Sequence, residues 1–257
     1  MSIKNDFFRQ FRFGPEHALN IGIEREMFLV GPDGFFVPAA ERVLECLSDR
    51  KRFGYELSAC QLENRVGPCS VVELPELLAE NDREIRSVIS GLGLGLSFSE
   101  VSSPDMPLDI YPDPEGRYPE IAEKLRNDDR LGPACRIIGT HVHIGMPDLK
   151  TAIQVHDGVY SEWERLVRLG DHSDGERMRL YGLVAPEYAP KPYGSVDGFY
   201  GAAIAEGFAE NPRDCWRIIR ISRHGTIEFR MFGVTDDLTE VVGWAEECLR
   251  LCRSFAR

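Results

Sequence analysis

The chain has 257 residues, of which 43% are hydrophobic and 28% charged, and its formal net charge is −12. That length and balance suit a soluble globular chain with a sizeable buried core, and the absence of any basic stripe excludes the usual kind of nucleic-acid binder. No apolar run approaches the roughly 18 residues that a membrane-spanning helix needs, and the start Met1-Ser2-Ile3-Lys4-Asn5-Asp6 carries charge where a secretory leader is apolar, so a cytoplasmic protein without membrane contact is expected.

Asn20–Val30 reads as a strand closed by the turn Gly31-Pro32-Asp33-Gly34, with Phe35–Val37 as a short return. Pro38–Ser48 is a helix candidate, and Tyr55–Val66 contains a second strand signal. Glu73–Leu92 places Leu74, Leu77, Leu78, Ile85, Val88 and Ile89 near helical spacing. Gly91, Gly93 and Gly95 follow that helix, the reverse of a phosphate loop, and read as a helix stop before a strand Leu96–Val101. Ser102–Tyr118, with four prolines, is a surface connection. Arg136–Ile144 is a third strand and Asp148–Leu169 one long amphipathic helix. Gly170–Arg177 reads as an acidic loop, and Ala185–Gly201, rich in Pro, Gly and Tyr, as a functional loop or lid carrying Lys191 and Tyr193. Thr226–Phe232 is a fourth strand and Leu238–Ala256 a closing helix. Strands and helices mix without a βαβ rhythm, so the expected class is α+β with a mainly antiparallel sheet, in one domain spanning 1–257.

Seven cysteines, an odd number without a C-x-x-C pair, argue against a disulfide framework. Cys248 and Cys252, four apart on the closing helix, read as small buried residues.

Three strand segments each carry two functional side chains one residue apart: Glu24-Arg25-Glu26, His141-Val142-His143 and Glu228-Phe229-Arg230. Strand side chains alternate faces, so each pair shares one side of its sheet. On the last strand Ile227, Phe229 and Met231 supply a buried face opposite Glu228 and Arg230. Arg25 has no account at this level. Glu56 and Glu63 lie seven apart and meet only if the chain bends between them or the strand is long and curved. Taken singly, an E-x-E is commonly a solvated face, and an E-x-R a surface ion pair worth under about 1 kcal/mol. Together, clustered carboxylates in apolar surroundings repel unless cations neutralise them, and an oxygen-rich set with an imidazole suits Mg²⁺, with Mn²⁺ tolerated. His17, His156 and His224 read as surface or capping residues. His172, Arg177 and Arg179 are open between substrate contact and solvated positions.

The run Ile21-Gly22-Ile23-Glu24-Arg25-Glu26 resembles the opening strand of the carboxylate–amine ligases of the glutamate–cysteine ligase type 2 family, which belong to the glutamine synthetase-like superfamily. Tyr55-Glu56 through Gln61-Leu62-Glu63, Arg117-Tyr118, Gly139-Thr140-His141-Val142-His143-Ile144-Gly145-Met146-Pro147-Asp148, and Arg220 with Gly225-Thr226-Ile227-Glu228-Phe229-Arg230 continue the likeness in order. The resemblance implies a curved sheet with helices on its outer face and ATP and metals on its concave face. It implies Glu24, His141 and Glu228 as ligands of one metal and Glu26, Glu56 and Glu63 as ligands of a second. It implies that His143, Arg220 and Arg230 contact phosphates or an acyl phosphate. The implied reaction is ATP-dependent amide formation from a small-molecule carboxylate, of the amino-acid kind, and an amine; homo-oligomers are compatible with it. A phosphotransferase of the same superfamily and a non-catalytic nucleotide-binding relative are the alternatives. The segment between His143 and Glu228 is shorter than in the family, so the substrate side is where this chain departs from it.

Overall fold

The computed structural model describes residues 3–256. Its centre is an open seven-stranded antiparallel sheet. The strands are β1 (Ile21–Val30), β2 (Phe53–Tyr55), β3 (Gln61–Cys69), β4 (Gly95–Ser97), β5 (Thr140–Gly145), β6 (Ile219–Ser222) and β7 (Thr226–Phe232). They lie in the order β2-β3-β1-β5-β7-β6, with β4 on β1. The helices are α1 (Ile3–Phe8), α2 (Ala40–Cys46), α3 (Leu74–Gly91), α4 (Arg117–Asn127), α5 (Leu131–Arg136), α6 (Leu149–Val159), α7 (Trp163–Gly170), α8 (Glu176–Val184), α9 (Val196–Ala205) and α10 (Leu238–Phe255). The class is α+β, as expected. No helix among the described residues is long and apolar enough to cross a membrane.

β1 is the hub. One edge pairs with β3 from Ile21 to Phe28, and the other carries β5 along Ile21–Arg25 and β4 along Phe28–Val30. Its odd-numbered residues, together with Val142 and Ile144 of β5 and Ile227, Phe229 and Met231 of β7, turn towards α3, α6, α7 and α10. This is the period-two alternation of a half-buried antiparallel sheet. Its even-numbered residues face the other way. There α4, α5 and α8 gather around a smaller core of Phe28, Cys60, Leu125, Leu131, Cys135 and Val184.

Arg25, unexplained from sequence, is fully buried on the helix-facing side. It pairs with Asp82 of α3 at 3.1 Å, donates to the Thr235 carbonyl at 2.6 Å, and lies over the Phe98 ring at 4.4 Å. It therefore ties β1 to α3 and to the segment entering α10. A buried arginine persists only with such partners.

Several expectations need correction. The Tyr55–Val66 signal is two strands: the chain leaves β2, turns through Ser58–Cys60 and returns as β3. Asp148–Leu169 is not continuous, because a 3₁₀ turn at Tyr160–Glu162 separates α6 from α7. Only Gly158 marks that place in sequence; a Cβ there would lie 2.3 Å from the Phe255 ring. The strand Leu96–Val101 shrinks to β4 and one bridge from Val101 to Ile137. Gly93, at φ +67°, does end α3, with Leu94 N–H donating to Ile89 O at 3.0 Å. The Ala185–Gly201 stretch is anchored. Asp157 accepts from the Tyr193 and Gly194 amides, and Ser195 caps α9, which the turn-rich composition concealed. All seven cysteines are free, and Cys248 and Cys252 are buried as expected.

Candidate active site

Register builds the site. Across β3, β1 and β5 the partners Arg65, Glu24 and His141 form one row. Gly22, His143, Glu228 and Arg220 form the next, across β1, β5, β7 and β6. Glu63 sits opposite Glu26. Cross-strand partners point to the same face, so the two rows place these side chains side by side on the floor of a cavity of about 430 Å³. Glu56 joins them because the β2–β3 hairpin folds it back towards Glu63. The bend left open in the sequence is therefore real. Gly54, opposite Glu63, leaves space that a Cβ could not share, since it would lie 2.3 Å from Arg65 Nη2 and 2.8 Å from Glu63 Oε2.

The ligand atoms of Glu24, His141 and Glu228 all lie within 4.8 Å of one another, the one such group among the described residues. His141 Nδ1 is 3.2 Å from Glu24 Oε2, and its Nε2 is 3.8 Å from Glu26 Oε1. His143 Nδ1 meets Thr226 Oγ1 at 2.8 Å, while its buried Nε2 has no hydrogen-bond partner and lies 3.5 Å from Glu24. Glu228, 1% exposed, accepts a two-pronged contact from Arg220 at 2.8 and 3.0 Å and a further one from Arg230 Nη1. Glu26 Oε2 accepts from the Gly139 amide at 2.7 Å.

The carboxylates fall into two electrostatic states. Burial pushes Glu24 up, but His143 and His141 outweigh it and hold the group well below the usual range. Burial likewise opposes ionisation of Glu228, and Arg220 and Arg230 overcome it. Glu26 is raised to about 7 by burial and Glu63, and Glu56 to about 8 by burial and Glu26. Burial, Glu24 and Glu56 raise Glu63 well above its ordinary value. Burial and Arg230 lower His141 to about 4, leaving a neutral imidazole suited to a metal. An oxygen-rich set of buried carboxylates with one neutral imidazole fits a hard divalent cation. The Glu24–His141–Glu228 group meets that fit in distance as well as chemistry, and Glu26, Glu56 and Glu63 gather beside it.

The structure brings together all six predicted ligands with His143, Arg220 and Arg230 in one cavity lining. It does not bring His172 there: that side chain pairs with Glu240 at 2.9 Å, away from the cavity. Arg179 pairs with Glu176 at the surface, and Lys191 with Glu187. His156, read as a surface or capping residue, is fully buried and stacks on Tyr193 at 4.3 Å between centroids. His224 lies on the cavity rim with its ring 6.3 Å from that of His143.

Sequence reasoning passed over Arg65, which pairs with Glu63 and whose i+2 spacing from it was the available signal. It left Arg177 undecided. That side chain, 3% exposed, donates to the carbonyls of Ile138 at 2.6 Å and of Arg230 and Met231 at 3.1 Å. β7 carries one extra residue here, since Thr140 pairs with Phe232 but Val142 with Phe229. Arg177 thus satisfies backbone groups where the ladder is broken. Tyr181 and Val184, four and seven residues on along α8, also line the cavity.

A family model described as glutamate-cysteine ligase family 2 matches residues 20–163. Among curated proteins, the chain is 27% identical to "Putative glutamate--cysteine ligase 2-1" of Rhodococcus jostii (strain RHA1), covering 90% of this chain and 69% of that one. It is 24% identical to a protein of the same name from Rubrobacter xylanophilus (strain DSM 9941 / JCM 11954 / NBRC 16129 / PRD-1), covering 91% and 66%. The chain thus spans about two thirds of the length of these curated relatives. Among solved structures, a bifunctional glutathione synthetase from Pasteurella multocida aligns at TM-score 0.58 and 13% identity, over 97% of this chain and 40% of that one. A Plasmodium falciparum glutamine synthetase aligns at TM-score 0.50 and 11% identity, over 98% and 55%. The structural likenesses show the fold, which is glutamine synthetase-like.

Proposed function

The chain belongs to glutamate–cysteine ligase family 2, and on that premise we propose that it is an ATP-dependent carboxylate–amine ligase working through an acyl phosphate. The observation that carries this reading is the Glu24–His141–Glu228 group, drawn from three adjacent strands with ligand atoms within 4.8 Å. In the proposal these three hold one Mg²⁺ or Mn²⁺, and Glu26, Glu56 and Glu63 hold a second. When bound, such ions neutralise the charge of a transferring phosphoryl group and align it with the attacking oxygen.

The chain's own residues supply the rest. Glu228 locks the Arg220 and Arg230 guanidiniums in fixed orientations, so they meet phosphate oxygens without first losing side-chain freedom. His143, held at Nδ1 by Thr226, directs its unsatisfied Nε2 into the same space. The Gly139 amide and its carbonyl, which accepts from Glu26 N–H at 3.0 Å, keep Glu26 in place, with its Oε1 3.8 Å from His141 Nε2 of the first group. The relatives' printed names make glutamate and cysteine the first acid and amine to test.

The test is release of ADP and phosphate with Mg²⁺, ATP and panels of amino acids and amines. A ligase releases both products only when acid and amine are present together; ADP without free phosphate would replace this reading with a phosphotransferase. Glu228→Gln is expected to lower turnover by roughly a hundredfold or more, because even groups behind metal ligands are worth about 10- to 100-fold. Near wild-type turnover in that variant removes Glu228 from the site.

A further inference from the structure

Seven arginines line the cavity: Arg65, Arg117, Arg177, Arg213, Arg220, Arg223 and Arg230. Four are already committed. Arg65 pairs with Glu63, Arg220 and Arg230 with Glu228, and Arg177 donates to three backbone carbonyls. Arg117, Arg213 and Arg223 are different. Each is partly buried, and none has a carboxylate partner among the described residues.

They come to one cavity from three separate elements. Arg117 opens α4, Arg213 lies in the 3₁₀ turn Pro212–Asp214, and Arg223 lies in the turn between β6 and β7. Their backbones are fixed. Asp113 accepts from the Arg117 amide at 2.9 Å, the Arg223 carbonyl accepts from Arg12 at 2.9 Å, and the Arg213 carbonyl accepts from Arg220 at 3.3 Å. The Arg117 guanidinium lies over the Tyr118 ring at 5.6 Å. Two of the charges are close enough to act on the third: burial, then Arg223 and Arg117, lower the Arg213 pKa, against an opposing pull from Glu115 and Tyr118. Five glutamates line the same cavity, yet none of them forms an ion pair with these three guanidiniums, whose donors stay open to an anion that the rest of a chain of net charge −12 would repel. An incoming anion would further relieve the repulsion that Arg223 and Arg117 exert on Arg213.

We propose that Arg117, Arg213 and Arg223 form an oxyanion clamp at the cavity mouth, which takes a phosphate or carboxylate group of a substrate across from the carboxylate floor. The clamp rests on the ligase reading only for which substrate carries the oxyanion, either the polyphosphate of a nucleotide or the carboxylate of the acid. Planar, fork-shaped donors on fixed backbone suit either group. Arg220 and Arg230 can do so only by sharing themselves with Glu228.

The test is calorimetric titration of the full chain, with divalent metal withheld, using inorganic tripolyphosphate and separately glutarate. One of the two is expected to bind, with affinity falling as salt rises. Arg213→Ala and Arg223→Ala are each expected to weaken it about tenfold or more, as loss of a charge-assisted contact does. Arg179→Ala, outside the cavity, is expected to leave it unchanged. Tripolyphosphate as the ligand assigns the nucleotide source, and glutarate the acid source. Without ligand, the two alanine variants are expected to melt no lower than the wild type, since each removes like-charge repulsion. Should either fail to fold, Arg213→Lys and Arg223→Lys keep the charge but lose the fork and are expected to show the same weakening. Binding of neither probe at millimolar concentration, or binding within twofold of wild type in the folded variants, overturns the clamp. Tripolyphosphate binding through these arginines in a chain that ligates no acid–amine pair leaves the clamp standing and removes the ligase reading. An active ligase whose Arg213→Ala and Arg223→Ala variants keep both KM values removes the clamp alone.

Discussion

Replacing Arg177 with lysine tests whether this residue builds the site or binds substrate. Its guanidinium reaches three carbonyls, of Ile138, Arg230 and Met231, at 2.6 to 3.1 Å, in surroundings that leave it 3% exposed. Hydrogen bonds from charged donors are worth about 1.5–3 kcal/mol each, and a lysine ammonium, a single point on a flexible stem, can keep one of the three. Losing two predicts a destabilisation of about 3–6 kcal/mol, a large share of the roughly 5–15 kcal/mol typical of a native protein. Urea unfolding followed by tryptophan fluorescence gives the difference directly from the midpoint at unchanged slope. A loss below about 1 kcal/mol, together with a raised KM for the acid substrate, would refute the structural assignment and make Arg177 a substrate contact instead.

Three further predictions concern neighbouring features. Gly139→Ala places a Cβ 2.1 Å from Arg177 Nη2 and 3.0 Å from the Phe232 carbonyl, so it should cost about 1–3 kcal/mol by overpacking and reproduce part of the Arg177→Lys defect in the same urea assay. Arg25→Met removes the buried partner of Asp82, which keeps Arg86 at 2.6 Å; a loss of about 3 kcal/mol is expected, and no measurable change would show that the buried charge contributes no stability. His156, faced by Asp157, Arg217 and Tyr193, has a pKa lowered mainly by burial, although Asp157 opposes that. The unfolded chain therefore takes up a proton that the fold resists. Stability from this group is complete above its ordinary pKa of about 6.5 and declines as pH falls below it. Thermal melts from pH 8 to 5 should drop more steeply for the wild type than for His156→Gln; parallel curves would reject this.

What was legible in sequence followed from period. Ile227, Phe229 and Met231 alternate with Glu228 and Arg230, and that alternation alone predicts which side faces the helices. The same rule placed Glu24 with Glu26 and His141 with His143, and family likeness joined the pairs into one site. What stayed hidden was non-local. Arg25 breaks the alternation of β1 in sequence, yet its partners are 57 and 210 residues away, on α3 and at Thr235. His156 looked like a surface residue because nothing nearby signals the Tyr193 ring that covers it. α4, α5 and α8 are short helices of 11, 6 and 9 residues. Such pieces carry weak periodic signals and owe their helicity to packing.

The arginines show why residue type alone could not assign roles. Arg220 and Arg230 sit in the motif with Glu228, which engages both, so part of their charge goes to keeping one buried carboxylate ionised and any phosphate contact they make is shared with it. Glu26, Glu56 and Glu63 have no comparable set: Arg65 alone pairs with Glu63, and burial with mutual repulsion favours their protonated forms. One half of the floor is thus offset by two guanidiniums of the chain itself, whereas the other half has Arg65 alone beside it. Guanidiniums that no carboxylate engages in an ion pair are found instead at Arg117, Arg213 and Arg223 of the same lining. In the proposed clamp a substrate oxyanion meets guanidiniums that are not already shared with a carboxylate, a local positive field that offsets the repulsion of a chain of net charge −12 for an anion.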